Sequence, residues 1–265
     1  MAASRFFSCT VIFALILAST PLKASADPEA VASPSPAPQL PPTYVQVQEE
    51  ISPDYTGDSG SSTQLNFSGQ MLVPGNRYLL RLKLPVVTSA PAESVTGAGD
   101  LSLTSLRFFD TEATHYFAGL TARIPTSRNS SLGSGKYSLG PAFGYQYQSG
   151  RWRVGFYTQN YFSIMGPSSR AAVGKSKIEP IVDLSLPYGW SVGFSTMSIT
   201  YDWVLNKWIE VPIGGRITKA FGHFSRFGPI GNLLPLQATL EAEQNLSRAV
   251  DTPGWTTRIS LRWIL

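Results

Sequence analysis

The sequence predicts an all-β protein: a transmembrane antiparallel up-and-down β-barrel of the outer-membrane type, with about 12 strands. Apolar and polar residues alternate with a period of two from Tyr44 to the last residue, whereas helical periodicity is nearly absent. The alternating segments run for about nine to thirteen residues, which is long for soluble strands and suits tilted spans of a bilayer. Their apolar faces carry tyrosine and tryptophan toward the ends, as aromatic girdles require.

Residues 1–26 have the features of a signal peptide. A short basic start is followed at residues 6–18 by an apolar run that is too short to span a bilayer as a helix. Ala24, Ser25 and Ala26 then supply a small-x-small cleavage site, so the mature chain is expected to begin after Ala26. The alternative is an uncleaved N-terminal anchor helix, which the short run and the cleavage site disfavour. We therefore expect export, and the strand pattern indicates the outer membrane of a Gram-negative bacterium.

Residues 27–43 are rich in proline, alanine and serine, and they are predicted to form a periplasmic linker ahead of a barrel at residues 44–265. The only cysteine, Cys9, lies within the signal peptide, which excludes disulfides, cysteine-based zinc sites and a thiol nucleophile from the mature chain. Loss of Arg5 and Lys23 with the signal peptide lowers the formal charge from +4 to +2, which is too little to indicate nucleic-acid binding.

The clearest alternation lies at residues 137–147. One face carries only serine, glycine, alanine and glutamine, and the other carries Tyr137, Leu139, Pro141, Phe143, Tyr145 and Tyr147. Soluble β-sandwiches and barrels also alternate in this way. A soluble barrel, however, would carry many charges on its outside, and only 14% of this chain is charged. Charged residues instead recur in mid-strand on the less apolar face, which suits a wet or ion-paired lumen.

Twelve segments can be counted, and they begin near Tyr44, Thr63, Arg77, Gly99, His115, Lys136, Arg151, Ser176, Trp190, Lys207, Leu233 and Gly254. Residues 44–51 are either the first strand or a plug. The fourth and ninth segments lose alternation near Ser105 and residues 195–197, which predicts a bulge in each. Short and long connections alternate, as periplasmic turns and external loops should, except that the turn at residues 221–229 is long. Both barrel termini are expected in the periplasm.

A series of short motifs, in order from about Gln64 to the C-terminus, carries a family resemblance. They include Leu82-Lys83-Leu84-Pro85, Gly97-Ala98-Gly99-Asp100, Ala122-Arg123-Ile124-Pro125, Trp152-Arg153-Val154-Gly155, Ile178-Glu179-Pro180, Tyr201-Asp202-Trp203 and Val211-Pro212-Ile213-Gly214-Gly215. In these motifs the chain resembles the family of outer-membrane transporters of the MetA pathway of phenol degradation. The resemblance implies an outer-membrane barrel of about twelve strands, and the family name points to aromatic or hydrophobic compounds. The chain departs from the family at Leu265, where an aromatic residue is usual.

The less apolar faces place charged residues of both signs toward the interior. The residues expected to line a solute path are Arg81, Arg123, Arg153, Tyr157, Gln159, Glu179, Asp183, Glu210, Arg216, Glu241 and Arg258, and Lys83, Glu243 and Arg262 are also expected to point inward. Either these charges pair across a closed interior, because an unpaired buried charge is costly, or they line a narrow aqueous path that orients a small solute. For any one of these residues, ion pairing within the interior is the favoured role. For the residues taken together, an aqueous channel is favoured.

The sequence shows no catalytic or metal-binding constellation, so we expect a non-enzyme without a cofactor. His115 and His223 match no metal motif and have no nearby nucleophilic serine. Glu179 and Asp183 lie four residues apart on one strand, about 13 Å, which is wide for paired catalytic carboxylates. Three hypotheses remain: a passive channel for small solutes, a closed structural or adhesive barrel whose loops bind partners, and, least favoured, a lipid-modifying enzyme. Outer-membrane lipid, the barrel-assembly machinery and a small solute are the expected partners, and nucleic acid is not.

Overall fold

The computed structural model describes residues 42–55, 61–73, 77–89, 95–111, 114–221, 235–247 and 253–265. Within these ranges the strands are β1 (Tyr44–Tyr55), β2 (Ser62–Val73), β3 (Tyr78–Ser89), β4 (Gly97–Ala98), β5 (Leu101–Asp110), β6 (Thr114–Ile124), β7 (Tyr137–Ser149), β8 (Trp152–Met165), β9 (Gly174–Ser185), β10 (Trp190–Phe194), β11 (Ile199–Asp202), β12 (Lys207–Glu210), β13 (Pro212–Phe221), β14 (Leu236–Asn245) and β15 (Pro253–Ile264), with a 3-10 turn at Pro187–Gly189. Because β10 continues into β11, β12 continues into β13 and β4 leads into β5, these segments build the twelve strands of one wall.

The strands form a closed antiparallel sheet. Neighbours along the chain pair as hairpins, and β1 pairs with both β2 and the last strand, β15. At this closing seam Tyr44 lies opposite Ile264, and the N–H of Leu265 donates to the carbonyl of Thr43 at 2.9 Å. Both ends of the wall therefore lie at one rim, as an even number of strands requires. In the described residues no helix is long and apolar enough to cross a membrane.

Residues 44–51 are a wall strand and not a plug. They pair one by one with β2, from Tyr44 opposite Gln70 to Ile51 opposite Thr63. The same residues pair with β15 on their other side. Their alternation of valine and isoleucine with glutamine and glutamate is therefore that of a strand with one face to lipid and one to the lumen.

The outer surface of the barrel is apolar. On β7, Leu139 and Phe143 are 39% and 48% exposed, whereas the intervening Ser138 and Ala142 are 2% and 1% exposed. Exposed outward tyrosines and tryptophans collect near the two rims: Tyr78, Tyr116, Tyr147 and Trp152 near the rim with the chain ends, and Tyr137, Trp203, Trp208 and Trp255 near the other. A surface of large exposed apolar side chains suits hydrocarbon and not water. The barrel is therefore transmembrane and of the outer-membrane type.

The bulge predicted in the ninth segment is present. β10 and β11 both pair with β9, but the pairing stops at Gly193 opposite Asp183 and resumes at Ile199 opposite Ile178. The strand that carries residues 195–198 thus contains one residue more than its partner over this interval, which is the definition of a bulge.

The bulge predicted near Ser105 is wrong. β5 keeps a regular register with β3 and β6 on both sides of this residue. Ser105 is an outward-facing residue in an ordinary strand, while Leu106 and Phe108 point inward and are 1% and 5% exposed. The alternation is lost because the lumen is apolar at this point, so that both faces of the strand carry apolar residues.

At the rim opposite the chain ends, the loop of residues 125–136 is tied to its neighbours. The Asp100 carboxylate accepts hydrogen bonds from the backbone N–H and the hydroxyl of Ser134, at 2.7 and 2.8 Å. The Arg170 guanidinium, from the next loop on this side, donates to the carbonyl of Gly133 at 3.4 Å. Charge-assisted hydrogen bonds of this kind hold a loop in one conformation.

Candidate functional site: the barrel lumen

One row of inward-facing side chains carries much of the charge of the lumen. It crosses seven neighbouring strands, and its members are Arg153, Asp183, Gly193, Arg216, Glu241, Arg258 and Glu50, each opposite the next. We call this row the charge ladder. Because barrel strands are tilted, a row perpendicular to them climbs from Arg153, near the rim with the chain ends, to Glu50 at mid-strand. Apart from Gly193, the charges alternate in sign.

At the lower end of the ladder, Asp183 is shared by two arginines. Arg153 Nη2 lies 2.6 Å from Asp183 Oδ2, and Arg216 Nη2 lies 2.7 Å from Oδ1. Arg216 reaches Asp183 across Gly193, where a side chain would overlap the Val182 carbonyl and the Asp183 carboxylate. The Asp183 side chain is only 7% exposed, so the two guanidiniums replace its water. Two cations against one anion leave this end of the ladder positive.

At the upper end, Arg258 is surrounded by three carboxylates. Its Nε lies 2.8 Å from Glu50 Oε2, its Nη2 lies 2.6 Å from Glu243 Oε1, and its Nη1 lies 3.8 Å from Glu241 Oε2. Glu241 and Glu243 are each 7% exposed, so these contacts are shielded from water. Three carboxylates around one guanidinium leave this end negative. The charge of the ladder is therefore separated along the barrel axis.

Residues 195–198, which we call the inward bulge, bind the same carboxylates. Thr196 donates from its N–H and its hydroxyl to the Glu241 carboxylate at 3.0 and 2.9 Å, and the Ser195 hydroxyl donates to Glu243 at 3.2 Å. Between them on β13 lies Gly214, which has no side chain to block these contacts, and its carbonyl accepts from the Ser195 N–H. The inward bulge therefore occupies lumen space beside the ladder.

Strands β3 to β8 carry a packed apolar cluster on their inner face. We call it the apolar wall, and it consists of Leu79, Leu106, Phe108, Phe117, Ala142 and Tyr157. The ring centroids of Phe108 and Phe117 are 5.5 Å apart, and those of Phe117 and Tyr157 are 5.6 Å apart, which are favourable aromatic distances. Gly144 leaves room for this packing, because a methyl group there would overlap the Phe117 ring. Side chains thus fill this part of the bore.

Two arginines lie over tyrosine rings beside the apolar wall. The guanidinium carbon of Arg81 lies 5.5 Å from the Tyr157 ring centroid, and that of Arg123 lies 4.5 Å from the Tyr161 centroid. These are cation–π distances. Gln159 links the two rings, since its amide donates to the Tyr157 hydroxyl at 2.7 Å and accepts from the Tyr161 hydroxyl at 3.3 Å. We call these five residues the tyrosine network.

Lys83, Lys177 and Glu179 face the lumen between the ladder and the tyrosine network, and we call them the central charges. In the part of the chain that the structure describes, none of the three forms a salt bridge. Each is nevertheless within electrostatic range of the others and of charged neighbours, Lys83 of Glu50 and Glu179 of Arg81. Lys83 is exposed. Lys177 and Glu179 are half-buried, so all three groups are open to interaction with water or a solute.

A polar cavity of about 60 Å³ lies at the upper end of the charge ladder. It is lined by Glu50, Glu210, Pro212, Glu243, Asn245, Pro253, Thr256 and Arg258. A space of this size with several polar groups in its wall can hold water. The carboxylates at this end are therefore placed to be partly hydrated.

All eleven residues expected to line a solute path lie on the inner face. Arg153, Asp183, Arg216, Glu241 and Arg258 belong to the charge ladder; Arg81, Arg123, Tyr157 and Gln159 belong to the tyrosine network; Glu179 is a central charge; and Glu210 accepts from the Thr200 hydroxyl at 2.7 Å. Of the three other residues expected to point inward, Lys83 is a central charge, Glu243 binds Arg258, and Arg262 donates to Gln46 at 2.8 Å. That these residues line a solute path stays a prediction.

The sequence analysis missed Glu50 and the lumen position of the inward bulge, and it left Lys177 out of the expected lumen charges although the alternation places this residue on the same face as Glu179 and Asp183. Glu50 was missed because the first segment was left open, although its alternation of valine and polar residues was the signal for a strand. The inward bulge had a weaker signal, the loss of alternation at residues 195–197, and its direction depends on Gly214 in a strand distant in sequence.

Within the described residues, His115 gives no sign of catalysis. His115 is buried near the start of β6, and His223 lies outside the described residues. Among the residues described, no three histidine, cysteine, aspartate or glutamate side chains are placed to hold a metal ion. Fold alone does not fix chemistry, so the absence of enzymatic activity stays a prediction.

No family model matches the sequence, and no curated protein is significantly similar to it in sequence, so the resemblance to the MetA-pathway family also stays a prediction. Among solved structures, the chain is similar to the COG4313 outer membrane channel from Pseudomonas putida F1, with a TM-score of 0.56, 16% identity, and coverage of 88% of this chain and 98% of that one. It is also similar to the KdgM porin, with a TM-score of 0.51, 8% identity, and coverage of 84% and 99%. This chain therefore has the closed barrel fold of outer-membrane proteins.

Proposed function

We propose that the protein is an outer-membrane channel through which small solutes cross. The observation that supports this most directly is the set of central charges, Lys83, Lys177 and Glu179. In a sealed interior every charge should be paired, because an isolated buried charge is costly. Here the ladder on one side is well paired, while the central charges make no salt bridge within the described residues and Lys83 is exposed. An aqueous path beside them accounts for this arrangement.

We infer that the preferred solute combines an apolar or aromatic body with an anionic group. The inner surface carries the apolar wall on one side and the charge ladder on the other, and the tyrosine network and the central charges lie between them. Near this border the cations Arg81, Lys83 and Lys177 are within electrostatic range of the anion Glu179, and Arg123 lies over the Tyr161 ring. An aromatic ring could lie on the apolar side while its carboxylate or phenolate meets these cations. The resemblance to the MetA-pathway family points to the same class of compound.

The second candidate function is a closed barrel that binds partners through its loops. Its support is the extent of ion pairing at Asp183 and Arg258, which is what a filled interior needs, together with the loop of residues 125–136 held by Asp100 and Arg170. A conductance measurement separates the two candidates, because only the first requires a continuous path.

The test is single-channel conductance of refolded residues 27–265 in planar bilayers. Discrete steps with a preference for anions are expected, since cations predominate at the border. Reversing two central charges together, Lys83→Glu with Lys177→Glu, should turn the preference toward cations. The matched control is Arg128→Glu, the same change of sign at an exposed position in an external loop, which should leave the preference unchanged.

Solute preference is tested by swelling of proteoliposomes in benzoate and in acetate. The two anions carry the same charge and differ in the aromatic ring, so faster swelling in benzoate supports an aromatic body as part of recognition. If folded, heat-modifiable protein shows no conductance steps in the bilayer, the result would contradict the channel and favour the barrel that binds partners through its loops. Equal swelling in both solutes would be consistent with a channel but would contradict a preference for aromatic solutes.

We further propose that residues 1–26 direct export and are removed, and that the barrel-assembly machinery inserts the mature chain into the outer membrane. Both proposals rest on the sequence, since these residues lie outside the described ranges. Fractionation of cells should place the protein in the outer membrane, and N-terminal sequencing should start at Asp27. A start at Met1 would contradict cleavage.

A further inference from the structure

Glu49 on β1 is an acidic residue on the outer face of the barrel, within its apolar band. Its neighbours Gln48 and Glu50 face the lumen, where Glu50 binds Arg258, so the alternation of the strand turns Glu49 outward. Its cross-strand partners, Leu65 and Ile259, are both apolar. Among the outward residues of the wall strands whose side chains the structure describes, Glu49 is the only aspartate or glutamate.

Glu49 lies midway between the two rims. Its partner Ile259 is flanked on the same outward face by Trp255 and Trp263, each four residues away along β15. Four residues of a strand span about 13 Å, and a strand tilt of about 40° reduces this to about 10 Å along the membrane normal. The apolar band of such barrels is about 25 Å tall and is bordered by aromatic residues. If Trp255 and Trp263 mark its borders, Glu49 lies at the membrane midplane.

Neither lipid nor its own barrel can satisfy this carboxyl group. In the described chain Glu49 has no hydrogen-bond donor or salt-bridge partner. The outward cations Arg107 and Lys219 lie against aromatic rings near the rim, over Phe109 and Trp190. Hydrocarbon offers no hydrogen bonds, and lipid headgroups are half a membrane away. A polar group in this position is costly unless another protein supplies a partner at the same depth.

We propose that Glu49 marks the contact between two copies of this chain, related by a two-fold axis along the membrane normal. Both copies insert in the same direction and to the same depth, so a residue on such an axis meets its own counterpart. Two protonated carboxyls placed face to face satisfy each other completely, because each donates one hydrogen bond and accepts one. No charge is then left in the membrane. A second copy inserted in the same direction presents its own Glu49 at the same depth in the membrane. It is therefore the partner that we expect.

The surrounding surface is suited to close approach. The outward side chains opposite Glu49, or next to it along β1 and β15, are aliphatic or β-branched: Val47, Ile51, Leu65, Thr257, Ile259 and Leu261. On β2, Phe67 lies diagonally opposite Glu49 and is 42% exposed. The bulky outward rings Trp255 and Trp263 lie at the two ends of this patch. On the β15 side of Glu49 no aromatic side chain lies closer than Trp255 and Trp263, so a second barrel can approach closely there. A short polar side chain can then span the contact, as small residues and polar groups do between membrane segments.

The inference is tested by oligomeric state and by crosslinking, and it does not depend on whether the barrel conducts. The full mature protein in mild detergent should sediment as a dimer. Glu49→Leu, which replaces a polar group by an apolar one on the lipid face, should fold to a heat-modifiable barrel and dissociate at least tenfold more readily. Glu49→Gln should remain dimeric, because two amides can also exchange hydrogen bonds. The difference between the Leu and Gln variants shows whether the dimer depends on hydrogen bonds between the two side chains or only on the shape of the side chain at position 49.

Crosslinking tests the contact in the membrane itself. The only cysteine is Cys9, outside the mature chain, so a single added cysteine reports on one position. Glu49→Cys should give a reducible band at twice the monomer mass under oxidising conditions. The control Ile178→Cys, outward on β9 at the far side of the wall, should not. A wild-type protein that is monomeric at all concentrations, or a Glu49→Cys crosslink to a different protein, would overturn the two-fold contact.

Discussion

Replacing Asp183 by alanine should destabilise the barrel by removing the anion that two arginines share. Five hydrogen bonds at 2.6–3.1 Å connect Asp183 to Arg153 and Arg216. Without the carboxylate, both guanidiniums stay on the inner wall, close to each other and without the anion that they share. Alanine itself fits the strand, so the loss should come from the charges and not from packing.

The size of the effect follows from the exposure of each partner. The Arg153 side chain is 47% exposed, so its pair with Asp183 resembles a surface salt bridge worth about 0–1 kcal/mol. The Arg216 side chain is 22% exposed, and breaking a buried pair costs about 3–5 kcal/mol, which partial hydration reduces to about 2 kcal/mol. The expected loss of unfolding free energy for Asp183→Ala is therefore about 2–3 kcal/mol.

The assay is reversible urea unfolding in detergent micelles, followed by tryptophan fluorescence. Arg153→Ala is the matched control and should lose about 1 kcal/mol or less. The double variant Asp183→Ala with Arg216→Ala should be more stable than the sum of its parts, because it removes the stranded guanidinium together with its anion. A loss below about 1 kcal/mol for Asp183→Ala, or strict additivity in the double variant, would refute the shared-anion interpretation.

Three further predictions concern glycine positions and the external loop. Gly193→Val should cost about 3 kcal/mol or more in the same urea assay, because the new side chain would displace Asp183 from Arg216; an unchanged midpoint would contradict this. Gly144→Ala should cost about 1–3 kcal/mol, because its methyl would overlap the Phe117 ring; stabilisation would show that the apolar wall is loosely packed. Asp100→Ala should release the loop of residues 125–136 from its hydrogen bonds to Ser134 and raise the rate of tryptic cleavage in this loop about tenfold, without lowering the stability of the barrel. An unchanged cleavage rate would show that these hydrogen bonds do not hold the loop in place.

The wall could be predicted from the sequence because lipid imposes a strict period of two. Segments predicted to begin near Arg77 and Lys136 begin in the structure at Tyr78 and Tyr137, and the break near residues 195–197 is a bulge. The segment predicted to begin near Leu233 starts outside the described residues, and the described strand is Leu236–Asn245. These strands could be recognised because their outward residues, which face lipid, must be apolar.

The lumen could be predicted only in part, because its contacts depend on which residues of distant strands lie opposite each other. The sequence indicates that Asp183 points inward, but not that Gly193 leaves a gap through which Arg216 reaches it. The apolar wall was missed for a different reason. Where Leu106 and Phe108 point into the bore, the inner and outer faces are both apolar and the period of two disappears. The prediction of a bulge at Ser105 was an error of this kind.

The closing seam between β1 and β15 has a consequence for the order of folding. Its polar contacts join residues that are more than 200 positions apart: Ser52 with Thr256 at 3.2 Å, Glu50 with Arg258 at 2.8 Å, and Gln46 with Arg262 at 2.8 Å. The other ladder contacts to Asp183 span only 30 to 33 positions. Local hairpins can therefore form early, while the seam must wait until the last strand has arrived, and until then both edge strands are open to wrong pairing. A circular permutant that joins the two chain ends and opens a hairpin elsewhere would convert these late, long-range contacts into early, local ones.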